Sequence, residues 1–508
     1  MSSNATERIK ALLSNPEDML METPYWRGTE RGLSPCPDLS TASINQKTRA
    51  RLPQLKKHLM TKDDLWRELD PMSHKIIYDE NIPCITAKTS DGRYKDIEYT
   101  RLPLPFQRVI MEKHVLHLCG NPLQFTLLNT EPTEQQTKNF ITYKQYWNLR
   151  NMDGLKTKMV AEQKSYGSSA LLFYFDYKGR IKARELRYED GFVVCSHNDN
   201  NGDRIMECVY YIDEKTEQER IDCYDEKYMY SFVQGYVEGS KSNWTLTSMT
   251  PHGFSEIPVV TKHGKVAWDA VQSLIEGYEV LYNVFTVIQK RHGWGILYIR
   301  GTFLDEAKKI AGAIVLNDTS MDGNGSAEFK SPPTPEGMLD TMDKMFELIQ
   351  IGAGFTCILP KDVKSSGDIS AQAIMLTQSL DNETALQAVI EWQNVADKMQ
   401  RLFKEGLAIE LVNKRENPNA ITEFEEIKMS AKFKIWYPRN DTEYNNMLIS
   451  LRGAGGISEE TLIEKNTESS PDEKMRRQKE IEEERTLQEE QMRMQYSNND
   501  SNNNNSKK

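Results

Sequence analysis

The chain has 508 residues and a net charge of −11, so it is too long for one ordinary core and indicates several domains or one elongated subunit with several parts. The acidic balance argues against a general nucleic-acid binder, which carries a basic excess. It is compatible with a conduit in which DNA slides, since tight phosphate contacts would hold the duplex back. We expect a soluble protein made in a cytoplasm, because the start lacks the apolar core of a signal peptide and no run of about 18 apolar residues could span a membrane.

The first part of the chain reads as a polar arm followed by helices. Residues 1–50 are polar and irregular, and the pattern favours one short helix there. In chain order the spacing predicts a helix at Thr6–Leu13, a helical pattern at Leu52–Leu69, a β-hairpin at Asp79–Tyr99, and helices at Leu104–Cys119, Thr133–Met152 and Gly154–Gln163. Pro103 and Pro105 mark the entry of the helix at Leu104–Cys119, and the Gly120-Asn121-Pro122 step marks its end.

The pattern then changes to period two. Strand-like runs follow at Ser169–Asp176, Ile181–Leu186, Gly191–Cys195, Arg204–Asp213, Arg220–Asp225, Lys227–Gln234 and Trp244–Ser248. Asn200-Asn201-Gly202 is typical of a tight turn between two of them. We expect a mixed, mostly antiparallel sheet region that ends at Pro251-His252-Gly253 and the Ile257-Pro258 step.

Residues Val266–His292 predict a long helix. Its apolar positions are spaced like a heptad seam: Ala267, Val271, Leu274, Tyr278, Leu281, Phe285 and Ile288. Such a helix would be roughly 40 Å long. A seam of this kind needs a partner surface, which neighbouring copies of the chain would supply.

A small module lies between this helix and a second one. Residues Trp294–Pro333 predict strands at Gly295–Ile299 and Ala313–Leu316, a short helix at Leu304–Ala311 and a glycine-rich loop at Asp322–Gly325. Another helix is expected at Pro335–Ile351. With the small module between two helical rods, the chain is expected to run out along the first rod and back along the second.

The remaining chain is mostly helical. The pattern predicts a loop at Gly352–Gly367, a long helix at Ser370–Asn413 with a kink at Asp381-Asn382, a strand at Ile427–Trp436 that rejoins the earlier sheet, a helix at Asp441–Leu451, an N-capped helix at Glu459–Lys465, a charged helix at Pro471–Gln495 and a disordered Asn-rich tail at Ser497–Lys508. The stripe of the long helix is Trp392, Val395, Met399, Leu402, Leu407 and Leu411.

No motif for catalysis, a cofactor or a metal is present. The sequence contains no GxxxxGK[ST], HExxH or GxSxG pattern. His114 and His117 lie one helical turn apart, but no third ligand is near, so we interpret them as surface or packed helix histidines. Residues His197–Asp203 fail the calcium-loop pattern and read as a hairpin turn. The seven cysteines form no CxxC pair, and we expect free thiols in a reducing cytoplasm.

Several segments resemble phage portal proteins of the Bacillus siphophage type, in order over roughly residues 100–490. The segments are LPLPFQRVIMEKHVLHLCGNPLQF, LKTKMVAEQKSYGSSALLFYFDYKGRIKARELRYED, FSEIPVVTKHGK, SSGDISAQAIM and LRGAGGISEETLIEKN. The resemblance rests on their order and spacing, since each one alone is unspecific.

The resemblance implies an elongated α+β subunit with a mixed wing, a two-helix stem, a small clip, a long kinked helix and a helical crown. The implied parts are the wing (51–263), the first stem helix (264–293), the clip (294–333), the second stem helix (334–351), the tunnel loop (352–370), the long helix (371–413), the wing return (414–456) and the crown (457–496). The arm (1–50) and the Asn-rich tail (497–508) match no part of the family and are set apart by composition alone.

The resemblance also implies the function and the partners. Twelve copies would form a ring at one capsid vertex, through which double-stranded DNA is packaged and ejected. The ring would contact the large terminase subunit, a head-completion or adaptor protein, scaffold and major capsid proteins, and no membrane. The chain would assemble in the host cytoplasm and reside in the virion.

Six residues are candidates for specific contacts. Lys361 and Lys364 lie in the implied tunnel loop and would touch DNA phosphates transiently; solvated loop lysines are the alternative. Lys290 and Arg291 end the first stem helix and would face DNA, although cations also stabilise a helix end. Trp294 and Phe329 would contact an adaptor ring or form the core of the clip.

Two other classes of protein remain open at this point. A nuclease or terminase subunit would need a phosphate loop or a carboxylate cluster, and the sequence offers no convincing one. A capsid or baseplate protein without DNA passage would need neither.

Overall fold

A computed structural model describes residues 3–14, 62–78, 85–88, 94–97, 101–199, 201–213, 215–237, 240–292, 296–300, 308–310, 313–315, 326–330, 336–357, 379–436, 441–466, 477, 480–482 and 485–486. The described helices are α1 (Ser3–Ser14), α2 (Lys62–Leu69), α3 (Lys75–Tyr78), α4 (Phe106–Cys119), α5 (Glu134–Leu149), α6 (Met152–Tyr166), α7 (Gln272–His292), α8 (Glu336–Ala353), α9 (Ser379–Asn413), α10 (Ala420–Glu425), α11 (Asp441–Gly453) and α12 (Glu459–Lys465).

The described strands form small antiparallel sheets. They are β1 (Ile85–Lys88), β2 (Tyr94–Ile97), β3 (Gln124–Leu127), β4 (Ser168–Phe175), β5 (Ile181–Glu185), β6 (Val193–Asn198), β7 (Arg204–Ile212), β8 (Glu219–Tyr224), β9 (Tyr228–Val237), β10 (Ser240–Pro251), β11 (Val259–His263), β12 (Ile296–Arg300), β13 (Lys308–Ile310), β14 (Ala313–Val315), β15 (Ser326–Lys330) and β16 (Met429–Lys432). The sheet orders are β10-β9-β8-β7-β6, β11-β4-β5 and the pairs β1-β2, β12-β15, β13-β14 and β16-β3.

The chain divides into two compact units. The first comprises Met1–Cys357 and Leu380–Trp436, and the second comprises Ile358–Ser379 and Tyr437–Lys508. In the second unit, α11 packs on α12, and Ser458 caps α12 by accepting a hydrogen bond from the amide of Thr461 at 3.2 Å. This is the N-cap that the sequence predicts.

The main core of the first unit lies between helices and one face of the three-stranded sheet. Tyr143 and Trp147 of α5 pack edge-on against Phe403 of α9, at ring distances of 5.5 and 5.2 Å. The predicted stripe of the long helix is confirmed, since all six of its residues are buried. Alternation along β4 places Leu171 and Phe173 in this core.

The opposite face of the three-stranded sheet packs on the five-stranded sheet. Ala170 and Val259 from the smaller sheet join Val194, Val209 and Tyr224 from the larger one in a second cluster. The outer face of the five-stranded sheet carries a row of three buried cysteines at cross-strand positions, with α1 packed over that face. The order of layers is therefore helices, small sheet, large sheet and α1.

Several predictions about the strands are wrong. The sheet region is not one mixed sheet: its strands, including β11, which the sequence did not predict, form two sheets with only antiparallel pairings. The strand predicted within Ile427–Trp436 does not rejoin either of them. It pairs with β3, a strand also not predicted, in a separate two-stranded sheet. The prediction failed because the partner lies some 300 positions earlier in the chain and leaves no local signal.

One helix prediction also needs correction. Lys308–Ile310 lies inside the segment predicted as a short helix, yet it forms a strand paired with Ala313–Val315, because the β-branched residues there support a small hairpin. The described part of the long helix runs without interruption from Ser379 to Asn413, with Asp381-Asn382 in its first described turn, so the kink at these residues stays a prediction. Residues 370–378 are outside the described residues.

The other predicted helices are found within a few residues of their expected bounds, except at Leu52–Leu69 and Pro471–Gln495, where much of the predicted segment lies outside the described residues. The first rod begins at Gln272 and not at Val266, because the preceding residues form turns. The hairpin turn near Gly202 is confirmed, with the Asp199 carboxylate accepting hydrogen bonds from the amides of Asn201 and Asp203. The described cysteines, Cys119, Cys195, Cys208, Cys223 and Cys357, are free thiols.

Candidate channel region

The helices α7 and α8 pack side by side as antiparallel rods. A Cβ on Gly277 would lie 3.4 Å from Met345, and one on Gly352 would lie 2.6 Å from Val271. Since an early residue of α7 meets a late residue of α8, the two helices run in opposite directions. The predicted out-and-back path of the chain is therefore confirmed for these helices.

Polar groups fix α7 to the segment before α4. Glu279 is 2% exposed, receives a 2.6 Å contact from Nδ1 of His74, and accepts a 2.8 Å hydrogen bond from the amide of Leu104. Asn283 is fully buried and both donates to and accepts from the backbone of Leu102. Burial lowers the pKa of His74, but the hydrogen bond and charge of Glu279 outweigh it, so the pKa lies above its ordinary value.

The buried stripe of α7 differs from the predicted heptad seam. The buried positions come every four residues: Val271, Ile275, Glu279, Asn283 and Val287. Ala267 and Val271, at the start of the predicted seam, belong to a core within the same chain. The later seam residues, from Leu274 to Ile288, are half-buried. The expectation that the whole seam needs neighbouring copies is therefore wrong for its first part, which the chain covers itself.

The residues on either side of positions 358–378 are held close together. The Asp381 carboxylate accepts hydrogen bonds from the amide of Thr356 at 3.0 and 3.1 Å, and Oε1 of Gln350 accepts one from the amide of Cys357. Gly354 adopts a left-handed conformation at φ 67°, and a side chain there would meet Thr384. The chain thus enters and leaves positions 358–378 at neighbouring points.

The structure places some of the predicted contact residues. Lys290 and Arg291 lie in the last turn of α7, as predicted, although their side chains are outside the described residues. Phe329 lies on β15, a strand that the sequence did not predict, opposite Leu297. Lys361, Lys364 and Trp294 fall outside the described residues.

Comparison with known families identifies the chain. A family model described as phage portal protein, SPP1 Gp6-like, matches residues 41–488.

The chain belongs to the phage portal protein family.

The match covers most of this portal protein, from the end of the arm to the charged carboxy-terminal segment. Portal proteins are virion components at the capsid vertex and act in DNA packaging. The family is structural and forms ring oligomers that interact with capsid and terminase. No curated protein matches the chain.

The described part of the portal chain contains neither a cluster of metal-ligand residues nor a helix that could span a membrane. Its histidines, cysteines and acids form no group of three or more that could hold a metal ion. None of the described helices has the length and apolar character needed to cross a membrane.

The sequence alone missed the groups that anchor the rods. His74 and Glu279 are 205 positions apart and Asp381 lies 25 positions from Thr356. A polar residue at a buried helical position is the available signal, and Glu279 and Asn283 interrupt an otherwise apolar stripe. Such an interruption predicts a buried polar partner without naming it.

Proposed function

We propose that this portal protein forms a dodecameric ring with α7 and α8 as its stem, and that double-stranded DNA passes along the ring axis during packaging and ejection. The wing would be residues 51–263 and 414–456, the clip 294–333, the tunnel loop 352–370 and the crown 457–496. The observation that carries the assignment is the antiparallel packing of two long helices on either side of a small β module, in a chain of this family. The ring would act without catalysis.

Exposed apolar side chains on α8 and α9 support contacts between copies. Leu348 and Ile351, near the end of α8, are 52% and 63% exposed, and Leu386 and Ile390 of α9 are 53% and 77% exposed. Each pair is spaced by one helical turn and therefore shares a face. Large apolar side chains exposed in this way favour burial against another protein surface, and a second copy is the surface that ring formation provides.

We propose the same partners and contacts that the family resemblance implies. The ring would bind the large terminase subunit, a head-completion or adaptor protein, scaffold and major capsid protein, in the host cytoplasm and then in the virion. Trp294 and Phe329 would contact the adaptor, and Lys290 and Arg291 would face the channel.

Imaging the purified chain tests the ring. We expect negative-stain images to show rings with a central hole, and mass measurement in solution to give twelve copies of the 58.6 kDa chain. A protein that stays monomeric at high concentration would contradict the proposal. A ring without a central opening would leave the oligomer but exclude the channel.

Charge reversal tests the tunnel-loop lysines. The double substitution Lys361→Glu and Lys364→Glu places two negative charges where we propose that phosphates pass, so we expect less DNA packaged per procapsid with intact rings. Packaging is measured as nuclease-protected DNA, and ring formation by electron microscopy. A matched control is Lys215→Glu with Lys227→Glu, in turns of the five-stranded sheet. Unchanged packaging in the tunnel-loop variant would show that these lysines do not contact DNA.

A further inference from the structure

A cleft of about 410 Å³ opens beside the start of the first rod, where four segments of the first unit meet. Its lining includes His114 from α4, Lys164 from α6, Lys262 from β11 and Glu391 from α9. This volume is within the range of small-ligand sites, which is about 300–1,000 Å³. The cleft therefore has room for a small anion together with part of a larger molecule.

The walls of the cleft are held by hydrogen bonds between the segments. The side-chain amide of Gln163 donates to the carbonyl of Lys265 at 3.0 Å, and the amide of Ala267 donates to the carbonyl of Lys164 at 2.9 Å. A Cβ on Gly264 would lie 2.8 Å from the Gln163 side chain, so the turn sits directly against α6. The site is thus preorganised and does not depend on residues outside the described ones.

One of the three lysines in the cleft has no partner. Lys262 donates to the carbonyl of Glu391 at 3.1 Å, and Lys265 pairs with Asp269 at 3.3 Å. The half-buried ammonium of Lys164 makes no hydrogen bond or ion pair with any described residue. Burial lowers the pKa of Lys164, as does the positive charge of Lys262, whereas the charge of Glu391 opposes both. An ammonium group carries three donors, so Lys164 can donate to an anion in the cleft.

A smaller chamber that shares lining residues with the cleft contains two ring nitrogens without a partner among the described residues. His114 and Lys164 line this chamber together with His117 and Asp381. His114 bonds the carbonyl of Ala353 through Nε2 at 2.7 Å, but the buried Nδ1 atoms of His114 and His117 have no partner among the described residues. Burial lowers the pKa of His114 to about 4. An anion at this point would favour the protonated ring, which can donate.

Two carboxylates lie near these nitrogen groups, and neither forms an ion pair with Lys164. Asp381 accepts both of its short hydrogen bonds from the amide of Thr356 and lies 3.7 Å from Nε2 of His117. The side chain of Glu391 is 59% exposed and lies 4.0 Å from Nζ of Lys262, so it can turn toward solvent. The nitrogen groups of Lys164, Lys262 and His114 approach the cleft from three different elements.

We propose that this cleft binds a phosphate group, held by Lys164, Lys262 and His114. A tetrahedral oxyanion presents oxygens in several directions and can accept from donors on separate elements. A planar carboxylate is better matched by two parallel donors on one side chain, such as an arginine guanidinium. The phosphate could be free phosphate or the phosphodiester of a nucleic acid, since both present the same oxygens. The site includes neither of the tunnel-loop lysines and does not depend on the ring proposal.

Calorimetric titration of the purified full chain with inorganic phosphate tests the site. Sodium chloride at matched ionic strength is the reference, and a second arm uses a short DNA duplex. We expect one phosphate site per chain, and we expect Lys164→Met to weaken binding at least tenfold. Lys178→Met, which removes a charge from an exposed turn after β4, should bind like the unmodified chain.

The titrations with inorganic phosphate and with the DNA duplex distinguish free phosphate from a phosphodiester as the ligand. Sensitivity to Lys164→Met in the phosphate arm alone assigns free phosphate, and sensitivity in the duplex arm assigns a phosphodiester. No binding in either arm overturns the proposal, as does binding that Lys164→Met leaves unchanged. Impaired ring formation in Lys164→Met without phosphate binding by the unmodified chain would also overturn it, in favour of an acidic side chain from another copy. If Lys164→Met does not fold, His114→Gln, which keeps the donor to Ala353, should weaken binding in the same way.

Discussion

A single buried charge pair joins the first rod of this portal protein to the segment that precedes α4. The side chains of His74 and Glu279 are 4% and 3% exposed, so water cannot replace either partner. Removing one partner of such a pair leaves a buried, uncompensated charge, which costs about 3–5 kcal/mol. The pair therefore stabilises the fold strongly when His74 is protonated and weakly when His74 is neutral.

Glu279→Gln should destabilise the protein by about 3 kcal/mol at about pH 6, and by clearly less at about pH 9. The pKa of His74 in the folded chain is raised above 6.5. The ion pair thus stabilises the fold fully below pH 6.5, and this contribution is lost as the pH rises through the folded-state pKa. Glutamine can still accept the hydrogen bond from the amide of Leu104, so the change isolates the charge. The measurement is the midpoint of thermal unfolding at both pH values.

Glu276→Gln is the matched control, because it lies one turn earlier on α7 and pairs with Lys75, whose side chain is 69% exposed. An exposed pair contributes at most about 1 kcal/mol. An equal loss of stability for Glu279→Gln at the two pH values would show that the pair is not ionised in the folded chain.

At the scale of the element, the long helix α9 meets the three-stranded sheet at a glycine. A Cβ on Gly406 would lie 2.4 Å from Cδ1 of Ile181, a residue of β5 that is fully buried. The absence of a side chain at this position is what allows helix and strand to approach. Glycine in a helix interior otherwise costs about 1 kcal/mol relative to alanine.

Gly406→Ala should destabilise the protein by about 1 kcal/mol or more, because overpacking in a core costs about 1–3 kcal/mol and exceeds the gain in helix propensity. The measurement is chemical unfolding. Combining the change with Ile181→Val, which removes Cδ1, should recover part of the loss, so the two effects should not add. Stabilisation by Gly406→Ala alone would show that Ile181 moves aside without cost.

Periodicity in the sequence predicted the rods and the long helix, because each repeats one pattern over many turns. It failed for β3 and β16, which have four residues each and pair across some 300 positions. Periodicity also failed to predict the buried face of α7. The heptad pattern selects Leu281, Phe285 and Ile288, whereas the buried residues include Glu279 and Asn283, whose polar groups are hydrogen-bonded. A sequence shows which face of a helix is apolar, and it does not show which polar groups find buried partners.

At the scale of the whole molecule, the family match and the rod packing point to a ring, and the apolar side chains on α9 give a means to test its contacts. Ile390 is 77% exposed in the single chain and follows Leu386 by one turn. Burying a large aliphatic side chain contributes about 1.5–3 kcal/mol. A ring repeats each contact at every interface, so a small loss per contact has a large effect on assembly.

Ile390→Asp should therefore reduce the yield of rings by at least tenfold while the chain remains folded, because the new carboxylate would lose water in the interface without a partner. Ring yield is measured by size-exclusion chromatography with light scattering, and folding by circular dichroism. Leu149→Asp is the control, since Leu149 is 73% exposed on a different helix. If both variants assemble normally, the exposed face of α9 lies away from the contacts between copies. If only Leu149→Asp fails to assemble, the contact surface includes the end of α5.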